Sequence, residues 1–172
     1  MNNIYNKLSK YLIENQNKFY RLCYTYVRNE NDALDVVQNA MLKALEKYKT
    51  IRDINAINTW FYKILVNENL LYLRKKKKEI CTEDKDLDSV YFEDYNENID
   101  IYDKLKFLPT DTQTIIILHY FEDLTLLEIS KITNININTV KSKLYTGLKK
   151  LRIEFSLRGI ENEENWRRKK QV

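Results

Sequence analysis

Lys63, Asn67, Arg74 and Lys78 step by four, seven and four residues, so on a helix they share one face. Trp60, Phe61 and Tyr62 stand at the entrance to that run. Rings stack on unstacked bases, cations hold phosphates and an amide reads a base edge, so the stretch suits single-stranded nucleic acid. A second set follows at Thr139, Lys141, Ser142, Lys143 and Thr146. Short polar and cationic side chains at the start of an exposed helix are what major-groove reading requires. Both sets also have a plain structural explanation. Aromatics at helical spacing mostly belong to a core, and a lysine run can be a solvated helix end whose charge suits the dipole.

The elements that carry these residues are helical. Leu108 to Leu151 reads as three short helices, with a helix-turn-helix in the last two. Thr125-x-x-Glu128 is a capping box opening a helix to about Lys131, with Leu126/Leu127, Ile129 and Ile132 toward apolar neighbours. Thr133 to Asn136 forms a polar turn, and Asn136 caps a helix whose Val140, Leu144, Leu148 and Leu151 make one apolar stripe. An ordinary helical hairpin with a solvated basic face fits the same pattern. Upstream, residues 1–14 form a first helix through Ile4, Leu8 and Tyr11/Leu12. Gln16 to Arg28 forms a second, with Phe19, Leu22, Cys23, Tyr26 and Val27 as its core stripe. After a break at Asn29–Asn31, a third runs from about Asp32 to Tyr48. It buries Ala33, Val36/Val37, Ala40, Met41, Ala44, Leu45 and Tyr48, and turns Asp35, Gln38 and Lys43 outward. That outer face is either solvated or docks a partner. Thr50 to Thr59 is a polar loop, and a fourth helix spans Trp60 to about Lys78.

With 44% hydrophobic and 31% charged residues, two Gly and one Pro in 172 residues, the chain is an all-α soluble type. The net charge of +4 hides a segregation. Residues 1–78 carry +8 (15 basic against 7 acidic), 79–103 carry −9 (1 against 10) and 104–172 carry +5 (13 against 8). Two basic modules joined by an acidic linker favour a polyanionic partner. Catalysis finds no foothold. His119 lies in the apolar run IIILHYF, and no HExxH, GxGxxG or P-loop occurs. Cys23 and Cys81 make neither a disulfide framework nor a metal motif. No signal peptide or run of about 18 apolar residues is present, so no membrane insertion, cofactor or small-molecule substrate is expected and the expected location is the cytoplasm.

Three stretches together resemble a bacterial RNA polymerase sigma factor of the extracytoplasmic-function type. NDALDVVQNAMLKAL (31–45) looks like the core-binding helix of sigma region 2, with Asp35, Val37 and Gln38 in a D-x-V-Q pattern. TWFYKILVNENLLYLRKKKK (59–78) is similar to the W…N…R helix that engages the −10 element. Residues 108–152 resemble sigma region 4. The resemblance implies region 2 over 1–78, a flexible linker over 79–103, region 4 over 104–155 and a basic tail over 156–172. It implies core contacts at Asp35, Val37, Gln38 and Met41 toward the β′ coiled coil, with region 4 against the β flap. For −10 DNA it implies Ile51 and Asn55 in the loop forming a pocket for a flipped base, then Trp60, Phe61, Lys63, Asn67, Arg74 and Lys75. For −35 DNA it implies Thr139, Lys141, Ser142, Lys143, Tyr145 and Thr146. An anti-sigma factor is a further expected partner. The chain departs from the family at Thr146-Gly147, where Arg-Ala is common, and at Ser130, Met41 and the lysines at 141 and 143. Gly147 alone should cost the helix about 1 kcal/mol against alanine.

A stand-alone helix-turn-helix regulator is the rival reading, but it leaves the D-x-V-Q and W…N…R stretches without a role. A helical adaptor with incidental charge is a third. The acidic linker suggests a shield over the basic helices. Deleting residues 82–98 should therefore raise non-specific DNA binding by the isolated protein in a filter or anisotropy assay, and unchanged binding would refute the shield.

Overall fold

The structure is a computed structural model that describes residues 3–80 and 104–157, and every regular element among them is helical. The expected acidic linker, except its first two residues, and the tail beyond residue 157 lie outside the described residues. The first module comprises α1 (Asn3–Glu14), α2 (Gln16–Val27), α3 (Glu30–Lys47) and α4 (Ile57–Ile80). The second comprises α5 (Thr110–Tyr120), α6 (Leu126–Thr133) and α7 (Ile137–Leu157).

Local chemistry sets the helix ends. Arg28 adopts a left-handed conformation (φ 52°) and donates its N–H to Tyr24, closing α2. The next residue, Asn29, is extended and its side chain accepts from the Asp32 N–H at 3.0 Å. The expected break at Asn29–Asn31 is therefore narrower than the sequence suggested, because Asn29 caps a helix that starts at Glu30. The expected polar loop before Trp60 is also more ordered. It holds 3₁₀ turns at Tyr48–Thr50 and Ile54–Ala56, and α4 starts at Ile57. Ile51 and Ile57 are its anchors, both buried in the core.

That core centres on Phe19, Phe61 and Tyr62. The Phe19 and Phe61 rings lie 4.5 Å apart, and Tyr62 meets Phe19 edge-on at 5.7 Å. Each such pair adds about 0.5–1.5 kcal/mol beyond area burial. Leu8, Leu12, Leu22, Ala33, Val36, Ala40, Leu65 and Val66 close around them. Burial pushes the Cys23 thiol up to about 12, and Asn69 donates to its sulfur at 3.2 Å. Cys23 is thus a packed neutral thiol.

In the second module the capping box is present on both arms: Glu128 N–H donates to Thr125 Oγ1, and Thr125 N–H to Glu128 Oε2 at 2.9 Å. Asn134 turns the chain in the left-handed region (φ 57°). Asn136 Oδ1 then accepts from Asn138 N–H at 2.9 Å as α7 begins. Ile129, Ile132, Val140, Leu144 and Leu151 are buried as expected, and Leu148 is half-buried. Leu127 corrects the reading: it points to solvent, nearly half a turn round the helix from the Ile129/Ile132 seam.

Helix α5 is buried from Thr112 to Leu118 because it lies between α7 and α6 on one side and α2 on the other. That is why its sequence shows no one-sided period. The two modules dock through α2 on α5 and α4 on α6. Arg28 donates to Gln113 at 2.8 Å, and the Tyr26 and Thr114 hydroxyls share a bond of 2.6 Å. Thr59 donates to Glu128 at 2.9 Å, and Lys18 reaches the nearly buried Glu122 at 3.4 Å.

Gly147 is explained by a close crossing. A Cβ there would lie 2.6 Å from Thr112 Cγ2 and 3.1 Å from Ile116 Cδ1. Alanine would gain helix propensity of about 0.5–1 kcal/mol but overpack the crossing at about 1–3 kcal/mol. Gly147→Ala should therefore lower stability in urea melts, by about 1 kcal/mol net. In a Thr112→Ser background, which removes the worse of the two clashes, the same change should cost less. A stabilising effect in the unaltered chain would show that α7 does not press on α5.

Candidate nucleic-acid interface

Helix α4 divides cleanly between two faces. Phe61, Tyr62, Leu65, Val66 and Asn69 point into the core. Lys63, Asn67, Arg74, Lys75 and Lys78 are exposed. The four residues expected on one face are thus together on one outward face, with Trp60 half-buried at its start and Asn55 exposed in the preceding loop. Two expected contacts do not stand there. Ile51 and Phe61 are core residues, and their contribution is to fix the loop and the helix entrance.

On α3, Asp35 and Gln38 are exposed and Met41 is half-buried. Val37 is buried among core side chains and cannot touch a partner. Its place on the surface is taken by Leu42, 59% exposed and one turn beyond Gln38. An exposed leucine one turn past an exposed glutamine was the signal that sequence reading passed over.

On α7 the buried line runs through Val140, Leu144, Gly147 and Leu151. Directly opposite stand Asn138, Ser142, Tyr145 and Lys149, spaced i, i+4, i+7 and i+11 and all exposed. Tyr145 is 72% exposed. Thr139, Lys141 and Thr146 flank that line and are exposed too, and the Ser142 hydroxyl donates to the Thr139 carbonyl at 3.0 Å. Asn138 and Lys149 stand on this line but outside the T-V-K-S-K pattern, and the signal for them is their place opposite the apolar stripe. Lys143 departs from expectation. It lies at the edge of the core and is ion-paired with Asp111 at the start of α5, so it ties two helices together. Partial burial raises the Asp111 carboxyl, but Lys143 and the Thr112 N–H outweigh it and hold the group below its ordinary value. His119 is half-buried and its Nδ1 meets the Leu124 carbonyl at 2.9 Å, so it closes the turn after α5. Among the described residues, no group of His, Cys, Asp and Glu could hold a metal ion.

An all-α chain with a capped helix-turn-helix and two exposed basic helix faces belongs to the class of DNA-binding transcription factors. The particular family follows from comparison. Residues 12–79 match the model of Sigma-70 region 2, and residues 99–151 match that of Sigma-70, region 4. The chain is 44% identical over 147 residues to the RNA polymerase sigma factor SigV of Bacillus subtilis (strain 168), covering 84% of this chain and 89% of that one. It is 32% identical over 155 residues to the ECF RNA polymerase sigma factor SigW of the same organism, covering 80% and 82%. The sigma factor RpoE of Bartonella quintana, solved with the anti-sigma factor NepR, shares the fold at a TM-score of 0.73 and 21% identity, over 90% of this chain and 98% of that one. The chain belongs to the sigma-70 family, in its extracytoplasmic-function branch. It is a transcription initiation factor and not an enzyme.

The Asp111–Lys143 pair gives a test with a definite sign. Asp111 has a lowered folded pKa, so its contribution is present above the unfolded value of 3.8 and is lost as pH falls through the lower folded value. Because both groups are over a third exposed or close to it, the effect at neutral pH should stay below about 1 kcal/mol. Asp111→Asn should lower the melting temperature slightly at pH 7 and leave it unchanged in strong acid. An equal loss at both would mean the carboxylate charge is not what matters.

Proposed function

We propose that this sigma factor divides promoter recognition among three exposed helix faces. Asp35, Gln38 and Leu42 on α3, with the rim of Met41, dock the polymerase core. The loop carrying Asn55, the half-buried Trp60, and Lys63, Asn67, Arg74 and Lys75 on α4 engage the −10 element as the strands separate. On α7, Asn138, Thr139, Lys141, Ser142, Tyr145 and Thr146 enter the −35 major groove. The observation that carries this reading is α4, where one face is core and the opposite face lines up cations around an amide. Capturing unstacked bases there offsets the few kcal/mol of unstacking. Lys143 contributes by holding α7 to α5, not by touching a phosphate.

Residues 1–78 act as region 2 and residues 104–155 as region 4, joined by the acidic linker over 79–103. The protein works in the cytoplasm, where the polymerase is. The sigma factor RpoE was solved with the anti-sigma factor NepR, and the similarly folded CnrH with the cytosolic domain of CnrY, which supports an anti-sigma partner here as well. The stand-alone regulator has nothing in its favour once α3 and α4 match region 2.

Two substitutions separate the DNA faces. Asn67→Ala should slow open-complex formation, read by permanganate reactivity, with binding of closed promoter little changed. Lys141→Ala should weaken promoter binding and, if the lysine holds a phosphate, lower the salt slope by about one. Both side chains are exposed, so circular dichroism should stay unchanged. Normal opening and normal recruitment by both variants would overturn the assignment.

A further inference from the structure

Between α3 and α4 lies a groove of about 350 Å³ lined by Lys43, Lys47, Ile64, Asn67, Glu68, Leu70, Leu71 and Arg74. Ile64, Leu70 and Leu71 give it an apolar side, and Leu71 is 49% exposed there. Lys43, Lys47 and Arg74 supply three cations against the single carboxylate of Glu68. Lys43 crosses to Glu68 at 2.7 Å, and that carboxylate is mostly buried while its partner lysine is open to solvent.

We infer that this groove is a binding site for one unstacked nucleotide of the separated strand, apart from the pocket expected in the loop before Trp60. The inference rests on the −10 role proposed for α4. An apolar wall with a cationic rim matches a planar base carrying a phosphate on either side. Its size sits near the lower end of ordinary small-ligand sites, as a single nucleotide needs. Along α4, Asn67 and Arg74 are seven residues apart, roughly 10 Å at 1.5 Å per residue. That is about three steps of a strand at 3.4 Å each, so a backbone held at Asn67 and Arg74, which both line the groove, passes its mouth. Lys43 and Lys47 stand about a quarter-turn round α3 from Leu42 and Glu46, so the groove opens beside the proposed polymerase face and not on it.

The edge chemistry selects among bases. Lys43 occupies one Glu68 oxygen, Oε1, and the carboxylate keeps further acceptor capacity. A carboxylate accepts from an exocyclic amine, as in the pairing of Glu with cytosine N4. Asn67 offers both a donor and an acceptor at the groove's edge. The favoured occupant is a base with an exocyclic amine (cytosine, adenine or guanine), and thymine, which has none, is disfavoured.

The test uses holoenzyme reconstituted with core polymerase and a randomised single-stranded oligonucleotide, selected for binding and sequenced. Glu68→Gln should flatten a preference of roughly fivefold or more for an amino-bearing base at one position. Leu71→Ala should weaken binding of the selected strand without changing circular dichroism. If both variants select and bind like the unaltered chain while Asn67→Ala and Arg74→Ala are weakened, the groove is not a base site and the −10 role stands. If all four behave normally, the reading of α4 falls and the groove with it. If Glu68→Gln or Leu71→Ala instead weakens binding to core in the absence of DNA, the groove holds protein and the inference is overturned.

Discussion

Helix α4 must satisfy two opposed demands along one length, and the rest of the first module follows from that. Its inner face carries Phe61, Tyr62, Leu65, Val66 and the buried Asn69, which pack on α2 and α3 and close the core around Phe19. Each fully buried large side chain there contributes about 1.5–3 kcal/mol, so the rotation of α4 about its own axis is strongly fixed. With the inner face fixed, Lys63, Asn67, Arg74 and Lys75 have nowhere to go but outward. The cationic face of α4 is positioned by hydrophobic packing on the other side of the same helix.

The second module obeys the same rule with a tighter contact. Helix α7 lies so close to α5 at Gly147 that a single methyl group would collide with Thr112, and the Asp111–Lys143 pair marks the same crossing. Burying Val140, Leu144 and Leu151 against α5 and α6 turns Asn138, Ser142, Tyr145 and Lys149 outward. Glu128 serves two ends at once: one oxygen completes the capping box of α6 and the other accepts from Thr59, one residue before Trp60. Polar contacts such as this one stand between the modules alongside buried Glu122, whose carboxyl is raised by desolvation.

Much of this was legible in the sequence because it is local. The capping box at Thr125 and Glu128, the Asn136 cap and the apolar stripe of α7 depend on residues within one or two turns, and each stands where the spacing placed it. The face of α4 was legible for the same reason. What failed depends on tertiary neighbours. Val37, Ile51 and Phe61 fit a family motif, but a motif in sequence does not say which of its side chains turn inward to pack. Gly147 looked like a helix defect until α5 was seen crossing it. Lys143 looked like any other cation until Asp111, 32 residues away, was found beside it. The groove between α3 and α4 has no local signature, since Lys43 and Lys47 come from α3 and the rest of its lining from α4.

The central claim is that these faces act together with polymerase to start transcription. Run-off transcription with sigma-free bacterial core polymerase on a pool of genomic promoter fragments tests it most directly. Transcripts with defined start sites are expected only when this protein is added, sharing two upstream elements separated by a constant spacing. Failure of the protein to bind core, together with no new transcript, would contradict it.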